Sequence, residues 1–253
     1  MIEVQNLSKS FDGVQILKDI SITYNPGMCN MIIGASGSGK TVFLKTLIGL
    51  FEPDAGTVKY NGRCMKEMSY YEKKKLRQDI GILFQNSALF DFATVLENIM
   101  FPMDFFTDWT QAQKRERARY CLERVNVINS ENKMPSELSG GMQKRVGIAR
   151  AIALEPKYLF CDEPNSGLDP YTSILIDQLI SELTKEFGMT TVINTHDMNS
   201  ILEIGDNIGF ISGGRLMWQG DRTTIFEADC EAVVKFVCSN SLARAKMESR
   251  FKV

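Results

Sequence analysis

The chain of 253 residues has a single histidine and no surplus of either charge, with 29 Lys and Arg against 31 Asp and Glu. Neither sign gathers into a long block, so the basic footprint of a nucleic-acid-binding surface is missing and no nucleic-acid partner is expected. No apolar run approaches the length of about 18 residues that a membrane span needs. The start, MIEVQNLSK, lacks the charged and apolar regions of a signal peptide. Any work at a membrane is therefore expected from outside the bilayer. The six cysteines, Cys29, Cys64, Cys121, Cys161, Cys230 and Cys238, include no C-x-x-C pair. Several stand in apolar runs, where a thiol behaves as a small hydrophobe, which predicts a reducing, cytosolic setting and no structural metal. Internal repeats and low-complexity segments are absent too. A chain of this length buries roughly 70 to 75% of its unfolded surface, enough for one sizeable core with a satellite lobe.

What is present is a change of rhythm along the chain. Residues Ile2 to Leu7, Ile16 to Tyr24, Met28 to Ile33 and Thr57 to Tyr60 read as strands, separated by turn chemistry at Asp12-Gly13, Asn25-Pro26-Gly27, Pro53 to Gly56 and Asn61-Gly62. A strand at Ile80 to Phe84 precedes helical periodicity from Thr94 to about Val127 and a further helix after Ser139. The chain then alternates: strand Tyr158 to Cys161, helix Tyr171 to Phe187, strand Thr190 to Asn194, helix Met198 to Ile204, strand Ile208 to Ile211. That alternation predicts an α/β fold with a largely parallel sheet, carrying a strand-rich N-terminal lobe and a helical insert. The charged runs Glu72 to Lys75 and Lys114 to Arg119 read as solvated helix faces.

Two glycine-rich segments carry the chemistry. The first, Gly34-Ala35-Ser36-Gly37-Ser38-Gly39-Lys40-Thr41, fits G-x-x-x-x-G-K-S/T after an apolar strand and before a helical run, the context in which backbone amides converge on phosphate oxygens. Lys40 would then reach the β- and γ-phosphates of a nucleotide, and the Thr41 hydroxyl would ligate Mg²⁺. The apolar strand Tyr158 to Cys161 runs into Asp162 and Glu163 at what should be the carboxyl edge of the sheet. Asp162 is placed for the metal, directly or through water. Glu163 should point to the other side of the strand, to orient or deprotonate a water attacking the γ-phosphate. A guanine-nucleotide switch is set aside, because Asn132-Lys133-Met134-Pro135 lacks the aspartate its base-reading motif requires. In the second segment, Ser139, Gly140 and Gly141 open a helix and aim its amides at an anion.

From about residue 2 to residue 220, the order and spacing of these motifs resemble the nucleotide-binding subunits of ATP-binding cassette (ABC) proteins. The resemblance implies a P-loop ATPase core with an N-terminal antiparallel β subdomain and an inserted α-helical subdomain. It places the ATP-binding domain at 1–229, with core and β subdomain from 1–84 and 156–229, the helical subdomain at about 85–155 and a helical tail at 230–253. It makes Gln85 the residue that joins the metal site to the helical lobe, Ser166 to Asp169 the D-loop beside the nucleotide, His196 a donor to the γ-phosphate, and Phe11 an aromatic that stacks on adenine. ATP and Mg²⁺ are the implied cofactors. A second copy, or a related cassette, would supply Ser139 to Gly141 to the same γ-phosphate. Three stretches, Leu83 to Asp91, Thr94 to Pro102 and Pro135 to Met142, together with Thr195-His196-Asp197-Met198, are similar to the MlaF-type ATPases of MCE-linked phospholipid transporters. Met142, where most ABC proteins carry glutamine, belongs to that pattern. Asn165, where threonine is usual, and Thr41-Val42, where serine-threonine is common, depart from it. The implied partners are an integral membrane permease, an MCE-type lipid-binding protein and a small STAS-type subunit, met at the cytoplasmic face of the inner membrane. Two alternatives stand beside this: the ATPase of another importer, such as one for a polar amino acid, and a soluble ABC ATPase of iron–sulfur assembly. The loosely amphipathic tail, with Val233, Val234, Phe236, Val237, Leu242, Met247 and Phe251, would pack either locally or against another subunit.

Overall fold

The computed structural model describes residues 1–240, 243–245 and 247. Strands β1 (Ile2–Phe11) and β2 (Val14–Tyr24) form a hairpin whose two-residue turn, Asp12-Gly13, has φ of 49° and 78°. Positive φ at both positions matches the right-handed strand twist, which is why such turns favour Asp-Gly. With β4 (Ala55–Tyr60) and β5 (Arg63–Cys64) they make an antiparallel sheet in the order β2-β1-β4-β5. A second sheet has the order β10-β9-β3-β8-β7-β6, built from β3 (Met28–Ile33), β6 (Ile80–Leu83), β7 (Tyr158–Asp162), β8 (Thr190–Thr195), β9 (Asn207–Ser212) and β10 (Arg215–Gly220). Its pairs are parallel except for β10 on β9. Strand β10 has no counterpart in the sequence reading: its side chains alternate between exposed and half-buried, and its apolar run is only the three residues Leu216-Met217-Trp218.

The parallel sheet separates two cores. On one face Ile32, Phe160, Val192 and Ile211 pack with Phe43, Leu44 and Leu47 of α1 (Lys40–Leu47) and with Ile2, Leu7, Leu17 and Ile20 of the antiparallel sheet. On the other, Met31, Ile33, Leu159, Cys161 and Ile193 meet α5 (Gly140–Ala151), α6 (Pro170–Glu186) and α7 (Met198–Ile204). Each wholly buried aliphatic side chain stabilises the fold by roughly 1.5 to 3 kcal/mol.

The insert is two helices rather than one helical stretch. Helix α3 (Val95–Phe106) starts at a capping box in which Thr94 N–H donates to Glu97 Oε2 at 2.7 Å and Glu97 N–H donates back to Thr94 Oγ1 at 3.3 Å. Thr107 is extended, and Thr110 with Gln113 opens α4 (Gln111–Arg124) through a second box. Two reciprocal caps 16 residues apart break what hydrophobic periodicity alone reads as continuous. The run Glu72 to Lys75 does lie on an open helix, α2 (Tyr70–Gln78), of which only Leu76 is buried. The segment Lys114 to Arg119 is the solvated face expected of it only at Arg115, Glu116 and Arg119. Lys114, 7% exposed, donates to Asp104 at 2.8 Å, and Arg117 donates to the carbonyls of Ile152 and Ala153, each at 3.0 Å. Helix α8 (Glu231–Val237) settles the near part of the tail locally, since Val233 and Val237 enter the larger core and Phe236 lies 5.4 Å from Phe210. Leu242 and Phe251 lie outside the described residues. No helix among the described residues is long and apolar enough to cross a membrane.

Candidate active site

Four parallel strands bring the sequence motifs to one edge. The register pairs Leu83 of β6 with Cys161 of β7, Asp162 with Asn194 of β8, and Thr195 with Ile33 of β3. The segments that leave those strands are Gln85, Glu163, His196 and the loop Gly34 to Gly39, so parallel topology alone gathers residues separated by up to 162 positions.

The loop turns directly from β3 into α1. Gly34 has φ of 150°, and a Cβ there would lie 2.2 Å from the Ile211 carbonyl oxygen. Behind Gly39 stand Leu17 and Ile16 of β2, at 3.0 and 3.3 Å from where its Cβ would be. The first amides of α1 have no intrahelical acceptor and, with the helix dipole, favour an anion. Ser38 Oγ is buried in the loop without a hydrogen-bond partner, a donor that a phosphate oxygen would satisfy. Lys40, 6% exposed, donates to the carbonyls of Gly34 at 2.8 Å and Ala35 at 3.1 Å, so its ammonium lies along the inside of the loop. Burial pulls its pKa below the ordinary lysine value, against the opposing pull of Glu163 and Asp162.

Beside the loop, Thr41 Oγ1 and Asp162 Oδ1 are 3.5 Å apart. Asn194 bridges them, donating Nδ2 to Thr41 Oγ1 at 3.2 Å and, more closely, to Asp162 Oδ1. Its own Oδ1 is buried and unpartnered. A hydroxyl, a carboxylate and an amide oxygen are the hard donors that suit Mg²⁺, so the residues fit the metal. Asn194 is missing from the candidates drawn from sequence. The sequence marks it only as an asparagine that follows Val192-Ile193 near the end of a strand, and its complete burial appears only in the fold.

Glu163 differs from the sequence expectation. Strand β7 ends at Asp162, and Glu163 has left it with φ of 48°, the left-handed region, its N–H donating to the Asn194 carbonyl at 2.8 Å. Its direction is set by that turn, not by strand alternation. The carboxylate meets His196, Nδ1 to Oε1 at 2.8 Å, with the imidazole 65% exposed and the carboxylate largely covered. An anionic acceptor orients the ring and leaves Nε2 facing outward. Gln85 is turned to the D-loop, its Nε2 donating to Ser166 Oγ at 3.2 Å rather than joining Thr41 and Asp162. Asp169 caps α6, accepting from Thr172 N–H at 3.0 Å and Thr172 Oγ1 at 2.5 Å, and those bonds hold its carboxyl below the usual range. Phe11 sits at the end of β1, 37% exposed, edge-on to Phe51 at 5.1 Å with Lys9 Nζ 5.3 Å from its ring centre.

The second glycine segment stands apart. Ser139 caps α5 through Met142 N–H at 3.3 Å, and it and Gly140 are exposed. No hydrogen bond or ion pair among the described residues joins Ser139, Gly140 or Gly141 to the loop Gly34 to Thr41.

Residues 17–166 match the ABC transporter family. This chain belongs to that family. It is an ABC ATPase, and the cassettes of that family bind and hydrolyse ATP with Mg²⁺. It is 37% identical over 236 residues to a probable ribonucleotide transport ATP-binding protein, mkl, of Mycobacterium bovis, a match covering 93% of this chain and 66% of that protein. This cassette thus spans just under two-thirds of the mycobacterial relative. It is 34% identical over 246 residues to the methionine import ATP-binding protein MetN of Clostridioides difficile, covering 97% of this chain and 76% of the other. It superposes with a TM-score of 0.79 and 31% identity on the dimeric post-hydrolysis structure of the ATP-binding cassette MJ0796 bound to ADP and Pi, covering 88% and 99% of the two chains. The α/β fold with an antiparallel sheet and a helical insert is the ABC cassette fold.

Proposed function

We propose that the cassette powers a phospholipid transporter of the MCE-linked, MlaF type, from the cytoplasmic face of the inner membrane. Two copies work head to tail, each completing the other's nucleotide site. The segment Ser139 to Gly141, exposed at Ser139 and Gly140, carries the dimeric part of this reading, because a phosphate-seeking helix start not bonded to its own phosphate loop needs another chain's. The dimeric state of MJ0796 supports it.

Within each site, the loop amides from Gly34 to Gly39 and the Lys40 ammonium hold the phosphates, and Phe11 offers its open face to adenine. Thr41 and Asp162 hold Mg²⁺, joined by Gln85 once its amide leaves Ser166. The metal, when bound, neutralises charge developing on the transferred phosphoryl group. Glu163 takes a proton from the attacking water, and His196, held by Glu163, presents its outer nitrogen to the γ-phosphate. Asp169, on the D-loop, faces the neighbouring copy's nucleotide. The helical subdomain, about 85–155, meets the permease, and a groove beside Gln85 lined by Phe84, Phe90, Phe101, Pro102 and Phe106 gives it an aromatic seat. An MCE-type lipid-binding protein and a small STAS-type subunit complete the assembly. The similarity to MetN, a methionine import ATP-binding protein, supports a second reading, the ATPase of another importer such as one for a polar amino acid.

Three measurements test this. Glu163→Gln should keep ATP binding and slow hydrolysis by about 10²- to 10⁴-fold, the usual scale for a general base; turnover within a few-fold of wild type removes Glu163 from that role. Mixed dimers of Ser139→Arg with Lys40→Ala should recover one active site, and full silence would exclude sharing between chains. Native mass spectrometry of the membrane complex should find bound phospholipid; a polar solute in its place would favour the second reading.

A further inference from the structure

Lys144 lies in the second turn of α5, 4% exposed, on the helix that Ser139 caps. Ammonium groups are seldom buried unless their charge is answered. Here Nζ donates closely to the Gln85 carbonyl and is 3.5 Å from the Glu163 carbonyl. Burial lowers its pKa, with Cys161, Glu163 and Asp162 pulling the other way. Further along the same helix, Arg150 donates to the carbonyls of Ser87 at 2.6 Å and Ala88 at 2.8 Å. Both residues hold left-handed backbone, with φ of 59° and 47°, a conformation that bears on function only where surrounding contacts enforce it. Between the two cations, Gly147 is pressed so close that a Cβ would lie 2.8 Å from Leu83 Cδ1. Helix α5 therefore grips the segment Leu83 to Ala88 at three points, and at one of them it also reaches the backbone of Glu163.

We propose that Lys144 is a positioning residue for hydrolysis: by holding the carbonyls of Gln85 and Glu163, it fixes the backbone from which the Glu163 carboxylate projects. The same rigid helix presents Ser139 to the neighbouring copy. One helix thus serves two nucleotides, its capped end facing the neighbour's and its second turn bracing its own chain's base. This rests on Glu163 as the base and on sites shared between two chains. The Lys144 ammonium is directed at the carbonyls of Gln85 and Glu163, and its effect passes through those two residues.

Mixed dimers separate this role from a general loss of structure. One copy carries Glu163→Gln, so only its neighbour's Glu163 acts. Lys144→Met is then placed either in the copy with the intact Glu163 or in the copy carrying Glu163→Gln. In the first placement kcat should fall about 10- to 100-fold, the scale on which a slightly misplaced catalytic group loses rate, with the KM for ATP within about two-fold. In the second placement, where the altered helix presents Ser139 to the working site, kcat should change less than about three-fold. Lys144→Arg, which keeps the donors, should restore most of the rate. Equal losses from both placements, or a rise in KM without a fall in kcat, would overturn the assignment. If Lys144→Met does not fold, Lys144→Gln serves in the same two placements. Homodimers of Glu163→Gln that turn over at the wild-type rate would instead sink the base reading, and the positioning role with it.

Discussion

Asp177 on α6 makes the sharpest quantitative prediction. It is 2% exposed, and its Oδ1 accepts from Asn165 Nδ2 at 2.8 Å, while the same amide reaches Ser200 Oγ at 2.9 Å. Burial raises its pKa from 3.8 to about 6, partly opposed by hydrogen bonds from Ser200 and Asn165 and reinforced by the charges of Asp197 and Glu203. That rise of about two units corresponds to roughly 3 kcal/mol between the two protonation states. The sign follows from which state binds the proton more tightly. The folded protein does, so its advantage is fully present below the unfolded pKa and is lost as pH rises through about 6. Asp177→Asn removes the titration while keeping the shape, and its new amide donors have a waiting acceptor in Asn165 Oδ1, which is buried and unpartnered. Stability of the variant relative to wild type should therefore climb by up to about 3 kcal/mol between pH 4 and pH 7. At roughly 2 to 4 °C per kcal/mol for a domain of this size, the gap in melting temperature widens by about 6 to 12 °C. Calorimetric melts of both proteins in matched buffers at steps across that range read it, because titrating groups other than the coupled Asp197 and Glu203 cancel in the difference. A gap that stays flat from pH 4 to 7, or one that narrows, would refute the linkage.

Lys40→Ala should weaken ATP binding by at least about tenfold in titration calorimetry if the ammonium is the charge-assisted partner of the phosphates proposed above; unchanged affinity would contradict its assignment. Phe43→Ala, at a side chain with no exposed surface, should cost about 3 to 5 kcal/mol in urea unfolding, and a loss below 1 kcal/mol would mean that the core collapses around the gap. Thr94→Ala removes one half of the α3 capping box and should cost about 1 kcal/mol at constant m-value.

The phosphate loop, the strand ending at Asp162 and the cap at Ser139 were legible because each couples a local pattern to a fixed place in a parallel sheet. Glu163 was legible as a residue but not as a direction, because nothing in the letters marks the left-handed turn that follows Asp162. Asn194 and Lys144 escaped for a related reason. A buried polar side chain declares itself only through its partners, and those lie 32 to 153 positions from Asn194 and 19 to 59 from Lys144. The inward turn of Lys114 and Arg117 was hidden similarly, since long cationic side chains look alike in sequence whether they meet water, a carboxylate or backbone carbonyls. Strand β10 was lost to weak alternation, and the split between α3 and α4 to two capping boxes inside one stretch of periodicity.

The placement of β3 has a consequence for how the protein is made. Its neighbours on both sides, β8 and β9, pair with it through residues from Thr190 to Phe210, and the Ile211 carbonyl closes against Gly34. A ribosome releases the phosphate loop early, yet about 160 further residues must follow before the strands that frame it exist. At roughly 5 to 20 residues per second that interval is on the order of 10 to 30 s. During it the apolar strand Met28 to Ile33 has no parallel sheet to enter, and only the antiparallel lobe, against which Ile32 packs, has been made to cover it. Nucleotide can assist folding only at the end of synthesis, which makes ATP a stabiliser of finished molecules and not a template for growing ones.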